Sequence, residues 1–403
     1  MRFLFTSIPG TGHIHPLIPT AQALISRGHH VMFATAESSV GLLHRLGLEA
    51  TPVGPNWLEG SDDPISSRLL ALNNRGGGNL LFVEIASMGA IPQLVDICAE
   101  WRPNAILSEH AEFAGRLAGE LAGIPVAVQL VANAPPRTVV GALIAAELDD
   151  VRVSVGLTPD PELRQLFGQL YLDCVPPSLM LPGVTPLPIA RKVRPTVFDT
   201  SGGETLPSWI DRLPDQPIVY ASLGTVFNRT ANVLETIIEA LANEPMTLIV
   251  TTGRNRDPGE LGDLPQNVRA ERYIPQSLLF PRCSAVITHG GFNSVIAALQ
   301  HALPMYLLPM SADQPRNALR AVEVGFGLSA GDSGEPPFGP VIAPESLDPA
   351  KIRLGVRRLL DEPTFASAAA AMKVEVDQMP GVDYVVDLLE GLAKDGRTTI
   401  RKP

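Results

Sequence analysis

Two stretches of this 403-residue chain carry residues whose types and spacing could do chemistry. In the first, the loop PGTGHIHP places His13 and His15 two apart, directly after the apolar run Phe3–Thr6. An imidazole titrates near neutrality, so either ring could take a proton from a hydroxyl, although a loop histidine is as readily a structural group. The second stretch is AVITHGGFNSVIAA, Ala285–Ala298. Its first residues are apolar, as in a strand covered on both faces. Gly290 and Gly291 remove side chains where the chain turns and a ligand approaches the backbone. Asn293 and Ser294 then offer capping oxygens and N–H groups as an apolar helical pattern begins at Val295, and a helix start of that kind suits phosphate oxygens. His289 stands at the carboxyl end of the strand, where open α/β sheets bind ligands. An ordinary strand-turn-helix corner would have the same glycines.

Carboxylates complete the inventory. Glu109 follows the short apolar strand Ala105–Leu107, and Asp313 with Gln314 follows Met305–Leu308 in the sequence PMSADQP. Glu109 alone reads as a solvated loop group; beside a histidine on an adjacent strand end it would fix the tautomer and stabilise an imidazolium. Asp313 and Gln314 fit either a helix cap or a set of hydrogen-bonding groups for a polar ligand.

The elements that must position these groups alternate. Phe3–Thr6, Val31–Ala34, Leu48–Val53, Ala105–Leu107 and Val126–Leu130 read as strands, separated by helical patterns that include Leu17–Gly28 and Val40–Leu46. A second series begins at Ile218–Leu223 and continues through Thr247–Thr251, Val268–Glu271, Ala285–Ile287 and Met305–Leu308, with a helix from about Arg316 to Val324 and others from Pro349, Thr364 and Asp383. Alternation of this kind predicts α/β architecture: two domains with parallel, doubly wound sheets facing a central cleft. We expect an N-terminal domain over 1–193, a linker rich in Pro and Gly over 194–215, and a second domain over 216–403 whose last helices are free to pack back on the first. Residues 55–89 break the rhythm with Asn56, Gly60, Asp62, Pro64 and Arg75-Gly-Gly-Gly78, and read as a mobile loop with helical pieces. Residues 132–190, with many prolines, read as an irregular wall around a cleft or a long connection.

Bulk properties narrow the partners. The formal net charge is −11 and 45% of residues are hydrophobic. No Lys/Arg-rich run is present, which disfavours nucleic acid and anionic membrane surfaces. Cys98, Cys174 and Cys283 are far apart and odd in number, so neither a disulfide framework nor a zinc site is expected. No run reaches transmembrane length, and the N-terminal apolar segment breaks at Pro9 and Gly10, which is consistent with a cytoplasmic protein.

The chain resembles the inverting glycosyltransferases of the two-domain GT-B fold, in the branch that decorates antibiotics, macrolides and other polyketides. The matching pieces are GTGHIHPLIPTAQALISRGHHVMFAT (Gly10–Thr35), VRPTVFD (Val193–Asp199), SLGT (Ser222–Thr225), RYIPQSLLFPRCSAVITHGGFNSV (Arg272–Val295) and LPMSADQPRNA (Leu308–Ala318). The resemblance implies a nucleoside diphosphate sugar as donor, TDP-sugars before UDP-sugars, and a hydrophobic hydroxylated acceptor bound by the N-terminal half. It implies that His13 is the general base with Glu109 as its carboxylate partner. On the donor side, His289, Gly291, Asn293 and Ser294 would hold the diphosphate, with Ser222, Gly224 and Thr225 contacting it from the neighbouring strand end. Tyr273 would stack on the pyrimidine unless it is a core residue, the backbone near Ile274 would read the edge of the base, and Asp313 and Gln314 would bind sugar hydroxyls.

Two positions depart from the family pattern. Ala297 stands where relatives carry a Glu for the ribose hydroxyls, and Glu109 where many carry Asp. With no D-x-D motif and no cofactor expected, the implied enzyme is metal-independent. A homodimer is left open. Two other readings compete, a nucleotide-sugar epimerase of the same fold and a non-catalytic nucleotide-sugar-binding partner protein; retention of His13 and Glu109 argues against the second.

Overall fold

The computed structural model describes residues 1–57, 65, 78–85, 89–135, 137–200, 203–225, 230, 232–253, 256–331 and 339–399. Most of the predicted loop at 55–89 lies outside them. The chain divides into two compact units: Met1–Val175, Gly183–Phe198 and Met379–Pro403 form the first, and Pro176–Pro182 with Asp199–Gln378 the second.

In the first unit the described elements are β1 (Arg2–Thr6), α1 (Thr11–Ile14), α2 (Ile18–Ser26), β2 (His30–Thr35), α3 (Glu37–Arg45), β3 (Glu49–Pro52), α4 (Gly78–Ile85), α5 (Ile91–Trp101), β4 (Ala105–Glu109), α6 (Ala114–Ala122), β5 (Val126–Gln129), α7 (Arg137–Ser154), β6 (Leu170–Asp173) and β7 (Ala190–Lys192). The strands form a parallel sheet in the order β3-β2-β1-β4-β5-β6-β7. Its central strands are apolar runs because both faces are covered: Phe3, Leu4, Phe5, Ala105, Ile106 and Leu107 are all fully buried. From β1 the chain winds outward through β2 and β3, then returns to lay β4 against the other side of β1. That reversal opens a crevice beyond the carboxyl ends of β1 and β4, where Thr6 is in register with Ser108.

The second unit repeats the plan. It contains β8 (Ile218–Ser222), α8 (Val233–Leu241), β9 (Thr247–Thr251), β10 (Val268–Glu271), α9 (Gln276–Leu279), β11 (Ala285–Thr288), α10 (Phe292–Gln300), β12 (Met305–Leu307), α11 (Gln314–Val324), β13 (Gly327–Ser329), α12 (Pro349–Asp361) and α13 (Pro363–Gln378). Its parallel sheet runs β10-β9-β8-β11-β12-β13, so the reversal falls between β8 and β11.

Several elements differ from the expectation. Residues 132–190 are more regular than expected, because they hold the 18-residue α7, the strand β6 and the first residue of β7. The α7 sequence has only a weak one-sided apolar pattern. The edge strands β7 (Ala-Arg-Lys) and β13 (Gly-Leu-Ser) have no alternation of their own and owe their form to a paired neighbour. The expected linker, 194–215, is hydrogen-bonded to each unit near its start. Arg194 donates its backbone N–H to Pro380 O (2.7 Å) within the first unit, whereas Asp199 accepts from the Ser277 N–H and hydroxyl, both at 2.7 Å, within the second.

The last described helix is α14 (Val382–Thr399), in the first unit. Val386, Leu389 and Ala393 are fully buried, while Arg27 pairs with Asp383 and Asp387, and His29 Nε2 lies 2.9 Å from Glu390 Oε1. Burial rather than the exposed ion pairs anchors this helix. Leu389→Ala is therefore expected to destabilise the first unit by about 2–5 kcal/mol, read as a lower urea midpoint, whereas Asp383→Ala leaves the midpoint nearly unchanged.

Candidate active site

His13 belongs to α1, a single helical turn that begins after Gly10, whose φ of 115° lies in the region that favours glycine. The end of this loop is tied down: Pro16 O accepts hydrogen bonds from Gln129 Nε2 (3.2 Å) on β5 and from Thr196 Oγ1 (2.7 Å). His13 Nδ1 thereby comes within 3.1 Å of Oε1 of Glu109, the last residue of β4, whose side chain is fully buried. His15 turns the other way and packs edge-on against Phe198, with ring centroids 5.4 Å apart.

Glu109 is an unusual carboxylate. Burial alone would push it towards the neutral form, but the charges of His13 and His110 outweigh that cost and hold it ionised, well below the usual carboxylate range. Its Oε1 also accepts the Ala111 N–H at 2.8 Å, and His110 Nδ1 lies 2.7 Å away. The turn after β4 is braced by Arg116, a buried cation on α6 whose guanidinium donates to the carbonyls of Glu109 (2.9 Å), His110 and Leu166 (3.0 Å). Glu112 lies beside it. Burial pushes the Glu112 carboxyl up, and both its oxygens accept the Gly115 N–H, at 3.1 and 2.9 Å.

Sequence reading singled out neither His110, Glu112 nor Arg116. The run SEHAEFAGR directly after an apolar strand was the available signal, since four ionisable groups rarely crowd one strand end without a shared site.

In the second unit, Ser222 ends β8 and His289 follows β11, its paired neighbour. Ser222 Oγ accepts the Gly224 N–H at 3.3 Å, and Thr225 is exposed. The His289 ring fits only because two glycines flank it. A Cβ on Gly224 would stand 2.7 Å from its Cε1, and one on Gly291 2.6 Å from its Nε2. Gly224 (φ 72°) and Gly290 (φ 86°) also adopt backbone angles that other residues resist. Burial pushes the His289 imidazole down to about 4, opposed in part by Asp313, so the ring is neutral at pH 7.

Helix α10 begins at Phe292 with Gly291 as its N-cap, not at Val295. Asn293 and Ser294 thus lie inside the first turn and do not cap it; a glycine cap has no side chain to occupy the amides there. Asp313 does not cap its own helix through its side chain. Its Oδ2 instead accepts from the Phe292 N–H at 3.3 Å, across to α10. Helix α11 starts at Gln314, two residues earlier than the pattern from Arg316 predicts. Gln314 Oε1 accepts the Met310 (2.8 Å) and Ser311 (3.2 Å) amides, and the fully buried Asn317 donates to Gly290 O at 2.8 Å. Asn317, which sequence reading passed over, ties the two glycine-rich and acidic turns together. Tyr273 is 42% exposed and its hydroxyl donates to Asp199 O, which excludes a core role for the ring; Ile274 behind it is buried. Ala297 is buried within α10.

Among the described residues no cluster of three or more His, Cys, Asp or Glu side chains is placed to hold a metal ion, and no helix is long and apolar enough to cross a membrane.

Two Rossmann-like units, each with its polar cluster at the point where strand order reverses, are the architecture of the GT-B fold. The solved structure of the glycosyltransferase VinC in complex with DTDP is similar to this chain with a TM-score of 0.77 and 25% identity, covering 98% of this chain and 100% of that one. Residues 73–224 match the family model described as "Erythromycin biosynthesis protein CIII-like, N-terminal domain", and residues 235–392 its C-terminal counterpart. L-demethylnoviosyl transferase of Streptomyces niveus is 31% identical over 340 residues, covering 82% of this chain and 85% of that protein. Tylactone mycaminosyltransferase of Streptomyces fradiae is 28% identical over 450 residues, covering 99% and 94%. The chain belongs to this EryCIII-like family of natural-product glycosyltransferases.

The depressed pKa of His289 has a consequence for stability. Above about pH 6.5, the ordinary histidine value, the ring is neutral in both folded and unfolded chains. Between that pH and about 4 the unfolded chain takes up the proton first, so stability falls as pH falls, by at most about 1.4 kcal/mol per pH unit. His289→Asn is expected to shrink the drop in unfolding midpoint between pH 7 and pH 5, measured by urea denaturation at both values.

Proposed function

We propose that this enzyme is an inverting, metal-independent glycosyltransferase that moves a sugar, a deoxysugar foremost, from a TDP-sugar to a hydroxyl of a hydrophobic natural product, with UDP-sugars as the second donor class. The observation that carries this reading is the His13–Glu109 pair. With its Nδ1 edge against a buried anion, the His13 ring is suited to receive a proton at Nε2, and Glu109 stabilises the imidazolium that results. The acceptor oxygen then bonds to the anomeric carbon as its proton passes to His13, and the bond from that carbon to the diphosphate oxygen breaks. A single displacement inverts the anomeric centre.

The leaving diphosphate gains negative charge. The first turn of α10, with Gly291, Asn293 and Ser294, supplies N–H donors and the positive end of a helix; His289 adds a neutral ring donor, and Ser222, Gly224 and Thr225 face it from the adjacent strand end. These groups take the place of a cation. The exposed Tyr273 ring is available to stack on the base beside the Ile274 backbone. Asp313 offers the sugar an acceptor. Because Gln314 Oε1 is already taken by two backbone amides, that side chain offers its N–H donors. Ala297 carries no carboxylate, so the ribose hydroxyls fall to other groups. Support for a thymidine nucleotide comes from VinC, whose structure holds DTDP, and support for a macrolide-type acceptor from the tylactone-named relative.

The test uses TDP-glucose with and without a panel of hydroxylated macrolactones and polycyclic phenols, with the anomeric configuration of any product read by NMR. Transfer with inversion that survives EDTA is expected. Retention of configuration, turnover restored only by Mg²⁺ or Mn²⁺, or a change in the donor alone contradicts the proposal, the last pointing to an epimerase. His13→Ala is expected to lower kcat by at least about 100-fold with little change in TDP affinity by calorimetry. His15→Ala, which removes a ring packed on Phe198, is expected to do much less.

A further inference from the structure

Glu109 serves two imidazoles, not one. Its Oε1 lies 2.7 Å from His110 Nδ1 and 3.1 Å from His13 Nδ1, and the two rings lie nearly parallel, 23° apart in plane with centroids separated by 6.2 Å. Both rings are partly open to solvent, with side chains 24% and 22% exposed, while the carboxylate between them is fully buried. One carboxylate carries one negative charge, so it can neutralise only one imidazolium at a time. A second proton on the pair would set two cations about 6 Å apart against a single anion.

The other charged groups of this cluster do not relieve that competition. Arg116, reaching in from α6, is a cation already committed to the carbonyls of Glu109 and His110, and it adds positive potential. Glu112, the remaining carboxyl, is pushed towards its neutral form by burial and accepts the Gly115 amide. From β1 the neighbour is Thr6, and from α1 it is His13 itself.

We infer that His110 is a positioning residue for His13: by sharing Glu109 Oε1 it holds the carboxylate in place and competes for the proton, so that His13 stays available as a base to lower pH than a histidine with Glu109 to itself. This rests on the reading of His13 as the base. It goes beyond that reading in assigning the pH range of the enzyme to a second histidine that the His–carboxylate pair does not itself require.

The primary test is NMR of the full chain with histidine Cε1 labelled, the His13 and His110 signals being identified by their loss in single variants. In the native protein the two signals are expected to titrate as a coupled pair, each curve showing two steps. In His110→Phe and in His110→Gln the His13 signal is expected to titrate in one step, at a pH higher by at least about half a unit, a threefold change in proton concentration. Gln, which can still donate to Oε1, is expected to keep plateau kcat nearer the native value than Phe. The acid limb of kcat/KM against pH should move upward with it, while KM for the sugar donor stays within about twofold. Independent single-step curves in the native protein overturn the proposal even if both variants fail to fold. A His13 titration that does not move in folded His110 variants overturns it as well, leaving His110 a structural residue. The parallel His13→Ala variant separates the two levels. Turnover retained within about tenfold there defeats the base assignment, and this inference with it; loss of turnover there with an unmoved acid limb in the His110 variants defeats this inference alone.

Discussion

A carboxylate that has lost contact with water must be balanced by its neighbours, at a cost of several kcal/mol if it is not. Glu109 is such a group, and much of the first unit is arranged around meeting its demand. His13 and His110 supply the charge, the Ala111 amide supplies a donor, and Arg116 locks the turn that carries all three. The loop after β1 is held where it is by the same requirement, because removing His13 from reach would leave Glu109 with one partner fewer. The arrangement that orients His13, the proposed base, is thus also one that the fold needs for its own sake.

The second unit meets a different electrostatic task with different means. In the proposed function this unit holds a diphosphate, which brings its own charge, so such a site needs directed N–H groups rather than a buried counterion. Here the histidine is kept neutral by burial and is fitted between two glycines, and the first turn of α10 is capped by a glycine, which has no side chain of its own to bond its amides. The carboxylate of Asp313 sits against the first of those amides, and Asn317 ties the same turn to α11. One histidine is therefore paired with an anion and the other is shielded from charge, although both follow a central strand of a parallel sheet.

Both clusters occupy the same place in their units, beyond the strand ends where the winding order reverses. Parallel sheets leave a crevice there because the helices on either side of the reversal cover opposite faces. Repetition of one architecture provides two such crevices, β1/β4 and β8/β11, and the residues at their rims differ in kind: a buried ionised carboxylate between two imidazoles in the first, glycines and hydroxyls around a neutral imidazole in the second. Family membership accounts for the shared plan.

By itself, the sequence determined most of the central strands, because a strand buried on both faces is largely a continuous apolar run: Thr247–Thr251, fully buried, forms with the bounds its pattern predicts. It also marked the strand-turn-helix corner at His289–Ser294, because two glycines there interrupt an apolar run before a helical pattern begins. Position within a sheet was not legible in the same way. Edge strands β7 and β13 take their form from a neighbour, and α7 has too weak a one-sided pattern to announce itself. The same limit applied to the candidate site. His13 and Glu109 could be paired on paper, but a sequence carries no distances, so only the tertiary structure decided that one Glu109 oxygen lies within reach of both His13 and His110, and that Asp313 reaches past its own helix to the first amide of α10. Contacts between residues far apart in the chain follow from how the strands are ordered, and that order is set by the packing of whole elements rather than by any local run of residues.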